Sequence, residues 1–280
     1  MVFDNFSTGR MGNIRRHLRN PRFSFLKKDL RDREAVGEAV KGIDAVFHLA
    51  AVTSVPFSVR FPGATRAVNV DGTRNILEAC SEHGVRRLVF ASSCAVYGEP
   101  RYLPINEKHP TNPLSPYAES KLEAERLCME FSRRHNLSTV ILRFFNVYSL
   151  RSRGGQYGGV VARFAGRLGR GKPPVVYGDC GQTRDFLFVG DAVEAMMLAL
   201  GSAEASGGIF NIGSGSSTAI NDLASMLAGI MGVCGVKPVY RGARPGDIRH
   251  SYSDVSLARK VLGFKAETPI EEGLARLAGK

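Results

Sequence analysis

The sequence predicts an α/β protein built on a doubly wound parallel sheet. Two observations carry the prediction. Short apolar runs alternate with longer amphipathic stretches, the rhythm that lays parallel strands in a sheet with helices on both faces. At 280 residues and 44% hydrophobic content, the chain is long enough to bury a substantial core, as one large domain or two interlocked ones.

Taken in order, residues 23–26, 45–50, 88–91 and 139–143 read as buried strands. Between them, residues 32–40, 65–83 and 115–135 read as helices. The third begins at Ser115-Pro116, a helix-start signal, and carries Leu122, Leu127 and Phe131 toward a core. Farther on come a helix through Asp191-Ala-Val-Glu-Ala-Met-Met, a strand at Ile209-Phe-Asn-Ile and a helix after Ile220. Glycine and proline punctuate the chain at Gly154-Gly155, Gly158-Gly159 and Pro173-Pro174. No repeat or low-complexity segment is present.

Composition narrows the function classes. No apolar run approaches bilayer length and the amino terminus has no basic-then-apolar signal pattern, so the expected location is the cytoplasm, with no membrane partner. The five cysteines are odd in number, scattered and without a C-x-x-C, which argues against a disulfide framework or a zinc site. The six histidines show no metal-ligand spacing, so no metal is expected. A net charge of +12 can attract polyanions, and residues 1–28 set seven basic side chains against the single acid Asp4. Without a recognisable module or interleaved aromatic residues, no nucleic-acid partner is expected, and anionic small ligands account for the charge.

The most informative stretch is Tyr117-Ala-Glu-Ser-Lys121, placed on a helix after the strand-like run Arg87-Leu-Val-Phe-Ala-Ser-Ser93. A phenol with a pKa of about 10 is a poor base near neutrality. Residues four apart share a helix face, which brings the Lys121 ammonium beside the Tyr117 ring oxygen, and the opposite charge is expected to lower its pKa. Ser93, at the carboxyl end of the strand, can hold the oxygen that Tyr117 deprotonates. Such a trio points to redox chemistry at a carbinol.

Spacing alone is a weak signal, but its company is specific. Ala91-Ser-Ser-Cys-Ala-Val-Tyr-Gly98 precedes the pair and Leu142-Arg-Phe-Phe-Asn-Val-Tyr148 follows it. With these motifs, almost the whole chain resembles the extended short-chain dehydrogenases/reductases, the NAD-dependent epimerase/dehydratase family, and within that group the UDP-glucose 4-epimerases. The resemblance implies a Rossmann-like NAD-binding domain at 1–147 plus about 185–213. A smaller nucleotide-sugar domain is implied at 148–184 plus 214–280. It also implies a homodimer made through the helices near 65–83 and 115–135.

The beginning departs from the family. Val2-Phe3-Asp4-Asn5-Phe6-Ser7-Thr8-Gly9 resembles the end of the family's second strand and its loop, and no G-x-x-G-x-x-G stands elsewhere. The first strand and the glycine-rich turn that binds the cofactor pyrophosphate have no counterpart. The reading therefore expects Met1 to be a start placed too late, or the chain to be a fragment. It also expects the strands beside the missing one to lack a partner.

The resemblance assigns NAD to Asp4, Asn5, Ser7, Thr8, Gly9, Asp29, Leu30, Leu49, Ala50, Ala51, Asn69, Tyr117, Lys121 and Phe145. Asp4 would accept from the adenosine ribose, and its charge favours NAD over NADP. It assigns a UDP-sugar to Ser93, Asn146, Val160, Val175, Tyr177, Arg184, Arg244, Asp247 and Ser251. The arginines suit paired charge-assisted bonds to phosphate. Two departures bear on the sugar. Tyr148-Ser-Leu-Arg151 stands where the family usually has Tyr-Gly-Pro-Arg, and Ser251 puts a small side chain at the gate, leaving volume for an N-acetyl group.

The implied reaction is inversion at C4 of a UDP-hexose through a 4-keto sugar, with Tyr117 as base, Lys121 tuning it and Ser93 steadying the oxygen. Related dehydratases carry an Asp-Glu pair where this chain has Cys94-Ala95, which speaks against elimination of water. Two alternatives stay open. One is another nucleotide-sugar epimerase or reductase of the family, and the other a truncated homologue acting as a binding module.

Overall fold

The computed structural model describes residues 1–149, 151, 159–178, 181–233, 235–242 and 248–279. The strands and helices of the first two-thirds run β1 (Val2–Phe3), β2 (Phe25–Leu26), α1 (Arg33–Val40), β3 (Ala45–His48), α2 (Val55–Arg60), α3 (Pro62–Arg66), α4 (Gly72–Glu82), β4 (Arg87–Ser93), α5 (Pro116–Arg134) and β5 (Ser138–Phe144). They continue as β6 (Asn146–Tyr148), α6 (Val160–Leu168), β7 (Val175–Tyr177), β8 (Thr183–Arg184), β9 (Phe186–Phe188), α7 (Val189–Gly201) and β10 (Ile209–Ile212). The last are β11 (Thr218–Ala219), α8 (Ile220–Ile230), β12 (Val239–Arg241), β13 (His250–Ser251), α9 (Ser256–Leu262) and α10 (Ile270–Ala278).

Four parallel strands form the main sheet in the order β10-β5-β4-β3. Alternation along β4 and β5 divides their apolar side chains between two cores. On one face Leu88, Phe90 and Ile141 pack with Val36 and Val40 of α1, Ile76, Leu77 and Cys80 of α4, and Leu127 and Phe131 of α5. On the other, Val89, Val140, Leu142 and Phe210 pack with Ala192, Ala195 and Ala199 of α7. Burying both faces requires helices on both, as the alternating sequence predicted.

β1 and β2 form a parallel pair that shares no ladder with the main sheet. Among the described residues β3 pairs only with β4, and β1 only with β2. The unpaired neighbours expected from the sequence are therefore present. Phe3 and Leu30 still anchor the pair to the first core, and Asn75 Nδ2 donates to the Leu30 carbonyl at 2.8 Å.

A third core gathers Val161, Phe164 and Leu168 of α6 with Phe186, Leu223, Leu227 and Leu274. Ala258, Leu262 and Phe264, from the last part of the chain, sit in the second core beside β10 and α7, because their apolar side chains face the main sheet.

Local signals explain the ends of helices. Asp32 caps α1 by accepting from Ala35 N at 3.0 Å, and Ser115 caps α5 by accepting from Ala118 N at 3.2 Å, with Pro116 at the first turn. The single helix expected over 65–83 is broken. α3 ends at Arg66, a π turn spans Ala67–Asp71, and α4 follows. Asn69 lies in that turn, a feature common where a side chain is diverted to another task.

Candidate active site

Tyr117 stands in the first turn of α5 and Ser93 at the end of β4, so a helix start and a strand end present their side chains together. The Tyr117 backbone N donates to Ser58 Oγ at 3.1 Å, which ties α2 to the head of α5. Lys121, one turn on, is 3% exposed; its Nζ donates to the Ala91 carbonyl at 2.8 Å and lies 4.8 Å from the Phe90 ring centroid. All three catalytic candidates are brought together around the last residues of β4.

Their electrostatics differ from the expectation. Burial pushes the Tyr117 phenol up to about 12, while the nearby Ser93 hydroxyl opposes that rise. The expected lowering by Lys121 does not occur: burial is the leading influence on the phenol, and the ammonium is directed at Ala91 and Phe90. Burial lowers Lys121 itself to about 8, with Cys128 and Glu125 opposing. It remains mostly protonated at neutral pH.

The groups assigned to the adenosine half lie at the carboxyl ends of β1 and β2. Asp4 Oδ1 accepts from Phe6 N at 2.6 Å, Asn5 Oδ1 from Ser7 N at 2.9 Å, and Asn5 Nδ2 donates to Asp29 Oδ2 at 2.8 Å. A Cβ on Gly9 would come within 3.1 Å of the Asp4 carboxylate, so glycine lets the loop close on that acid. Hydrogen bonds from the Arg31 side chain hold the Asp29 carboxyl well below the usual range, against a contrary push from burial. Thr8 is exposed beside them. At the end of β3, Leu49 is 55% exposed, Ala50 is exposed and Ala51 half-buried, an apolar ledge with small side chains.

Three assigned residues have side chains committed within the protein. Leu30 packs in the first core and Phe145, 3% exposed, in a cluster with Val96, Tyr97, Ile105 and Leu122. Asn69, assigned to the cofactor, is 2% exposed, and its amide is taken up by the fold. Its Oδ1 accepts from Val52 N at 2.7 Å, and its Nδ2 donates to the Val52 carbonyl and to Ser120 Oγ. It fastens the loop after β3 to α5, because a buried amide must satisfy its own groups.

On the substrate side, Asn146 and Val160 line one cavity of about 90 Å³ with Tyr148, Ser149 and Phe186. Arg184 and Ser251 are register partners on β8 and β13, and both neighbour Cys94. Ser251 is 4% exposed, its hydroxyl beside the Cys94 thiol, whose pKa burial raises to about 12. Val175 and Tyr177 lie on β7, paired with β12 rather than with β8. Arg244 and Asp247 lie outside the described residues, as do Cys180, Cys234 and most of the glycine-rich segment.

Four buried polar side chains around the site escaped the sequence reading. Ser92, Glu125 and Arg143 form a buried group behind β4, and Asp185 joins the loops around Arg184 and Ser251. A charge inside the apolar strand Thr139-Val-Ile-Leu-Arg-Phe144 was the available signal, since a buried Arg requires a counter-charge.

Comparison with known proteins identifies the family. The model of the NAD dependent epimerase/dehydratase family matches residues 1–213. The chain belongs to that family. A putative UDP-glucose 4-epimerase of Methanocaldococcus jannaschii is 37% identical over 280 residues, covering 99% of this chain and 88% of that protein. A UDP-glucose 4-epimerase of Thermotoga maritima, solved with UDP-glucose, superposes with a TM-score of 0.92 at 33% identity, over 99% of this chain and 89% of its own. A UDP-N-acetylglucosamine 4-epimerase of Methanobrevibacter ruminantium, solved with UDP-N-acetylmuramic acid, gives 0.92 at 34% identity with the same coverages. As a member of this family the chain is an NAD-dependent enzyme with a Rossmann-like fold.

The residues fit NAD at both of its ends. Asp4, whose Oδ1 takes the Phe6 N–H, would accept from a ribose, and Tyr117 and Lys121, which now donates to Ala91, would donate at the reacting end. The sequence contains no G-x-x-G-x-x-G for the pyrophosphate between them.

Proposed function

We propose that the protein inverts the configuration at C4 of a UDP-hexose, interconverting UDP-glucose and UDP-galactose. The observation that carries the reading is Tyr117 and Ser93 meeting at the end of β4 with Lys121 beneath them, followed by Cys94-Ala95 where a dehydratase has an acid pair. UDP-glucose 4-epimerase relatives and the Thermotoga maritima structure with UDP-glucose support it. Reversible hydride acceptance is the chemistry NAD supplies when bound. Tyr117 takes the proton of the C4 hydroxyl, Ser93 steadies that oxygen, and Tyr117 returns the proton after the 4-keto sugar has turned over. Proton transfer of this kind is worth about 10²–10⁴-fold.

Asp4, Asn5 and Asp29 are read as the adenosine end, with Leu49, Ala50 and Ala51 as the apolar ledge beneath the cofactor. Arg184, with Arg244, is read as the phosphate-binding pair, and the small Ser251 as leaving room for an N-acetylated sugar. The division into a cofactor unit and a nucleotide-sugar unit belongs to the same reading. No described helix is long and apolar enough to cross a membrane. The reading adds a cytoplasmic location and a dimer formed by two copies of the α4 and α5 face. Incubation with NAD and UDP-galactose is expected to yield UDP-glucose, and Tyr117→Phe to abolish it. Protein loaded with NAD that interconverts no UDP-sugar would overturn the reading. UDP-N-acetylglucosamine, as a parallel substrate, tests Ser251.

A further inference from the structure

We infer that Glu125 is a positioning residue for this reaction: held by Arg143, its carboxylate takes the Ser92 hydroxyl and so sets the end of β4, with Ser93, against Tyr117. The inference rests on the proposed roles of Ser93 and Tyr117. Tyr117, Lys121 and Glu125 follow at steps of four on one face of α5. Each meets one of three consecutive residues of β4. Tyr117 sits beside Ser93, Lys121 Nζ donates to the Ala91 carbonyl, and Ser92 Oγ donates to Glu125 Oε1 at 2.5 Å.

Arg143 lies opposite Ser92 in the β4–β5 register and donates to both carboxylate oxygens of Glu125, from Nε at 2.9 Å and Nη2 at 2.6 Å. One carboxylate thus joins a helix and two strands. Its far side is braced too: Arg143 Nη1 donates to the Tyr97 hydroxyl at 3.0 Å, which donates to Asn211 Oδ1 of β10 at 2.7 Å. Glu125 is fully buried and Arg143 is 4% exposed. A buried ion pair is a poor way to gain stability, since apolar residues of like volume do as well or better. Its merit is fixed geometry, and Ser92 transmits that geometry to Ser93 through a single peptide bond. Misplacing a reacting group by about 1 Å can cost on the order of 10²-fold in rate.

Glu125→Gln leaves Arg143 without its counter-charge and can unfold the protein, so Ser92→Ala is the deciding variant. It removes the tie and keeps the ion pair. With UDP-galactose and NAD, kcat is expected to fall about tenfold with KM unchanged. The rise of kcat with pH should move to higher pH, because Ser93 is the side chain that opposes the upward shift of Tyr117. Ser92→Thr, which keeps the hydroxyl, should recover most of the rate. A kcat within twofold of the wild type, or a loss shared with KM at an unaltered pH profile, overturns the inference.

A second measurement needs no turnover. Ser92→Ala, Tyr117→Phe and the double variant form a cycle in urea unfolding, between residues that share no hydrogen bond. Coupling of at least twofold in the unfolding constant is expected, and independent effects overturn the inference. Undiminished turnover in Tyr117→Phe would sink the proposed function instead, leaving the cycle to decide the role of Glu125.

Discussion

The Lys121 ammonium lies 2.8 Å from the carbonyl oxygen of Ala91, so the helix that carries Tyr117 is tied by its lysine to the strand that carries Ser93. Besides that carbonyl it has the face of Phe90, at 4.8 Å. An ammonium that is 3% exposed with so little polar company is retained against its preference for water.

Lys121→Met should therefore separate stability from activity. Burial lowers the lysine from 10.5 to about 8, which corresponds to a cost on the order of 3 kcal/mol in the charged state. The unfolded chain binds the extra proton between pH 8 and 10.5, so the wild type gains stability as pH rises through that window. The variant should lack that gain, match or exceed the wild type in urea at pH 7, and lose about 10²-fold or more in turnover. Lower stability at pH 7 together with a retained alkaline gain would refute the argument.

His48 sets the acid limit. It is 2% exposed, its Nε2 lies 2.8 Å from Thr73 Oγ1, and burial first and Lys121 second lower its pKa from 6.5 to about 3. The Thr73 hydroxyl donates to the Asn69 carbonyl, so it accepts from the neutral imidazole. Below pH 6.5 the unfolded state binds the proton first. Stability is full above 6.5 and is lost as pH falls toward 3, by up to about 5 kcal/mol. His48→Gln should flatten this limb in urea titrations between pH 6.5 and 4. An unchanged slope would exclude His48 as its source.

Local chemistry made much of this legible. Ser115-Pro116 announced its helix, and the apolar runs at β4 and β5 announced central strands, because caps and burial act within a few residues of themselves. Tyr117 and Lys121 were found through helical spacing. What spacing could not give was the balance between burial and charge, so Tyr117 rises where a fall was expected. Nor could it give partners remote in sequence. The resemblance gave Asn69 to the cofactor without foreseeing Val52 and Ser120, which close on its amide, and Phe264 joins Phe210 in one core whatever their order in the chain.

An unpaired strand edge with apolar side chains invites another strand. Phe47 on β3 is 37% exposed and the adjoining Leu49 is 55% exposed, with β4 the only described partner of β3. A lysine on such an edge is the usual protection against sheet extension. Phe47→Lys should reduce light scattering on heating severalfold while leaving the urea midpoint nearly unchanged. Equal scattering would show that association proceeds through another surface.

Asp185 governs the substrate side as Glu125 governs the catalytic strand. Fully buried, it accepts from Ser214 N and Oγ at 2.7 Å each, Gly215 N at 3.2 Å, Ser253 N at 3.1 Å and Ser253 Oγ at 2.5 Å. Its own carbonyl accepts from Asn146 N at 3.0 Å and Nδ2 at 3.1 Å. A Cβ on Gly213 would lie 2.4 Å from Asp185 Oδ2, so glycine is required for the loop to approach. Three segments thus converge on Asp185, which adjoins Arg184 in sequence, and its donor Ser253 lies two residues from Ser251. Asp185→Asn keeps the shape but turns an NH₂ group toward N–H and hydroxyl donors. With charged-acceptor bonds worth about 1.5–3 kcal/mol each, the expected loss is about 3 kcal/mol or more, read from urea unfolding. Where folded protein is recovered, KM for the UDP-sugar should rise more than kcat falls, since Arg184 and Asn146 lose their support while Tyr117 and Lys121 keep theirs. A loss confined to kcat would show that Asp185 acts on the catalytic trio instead.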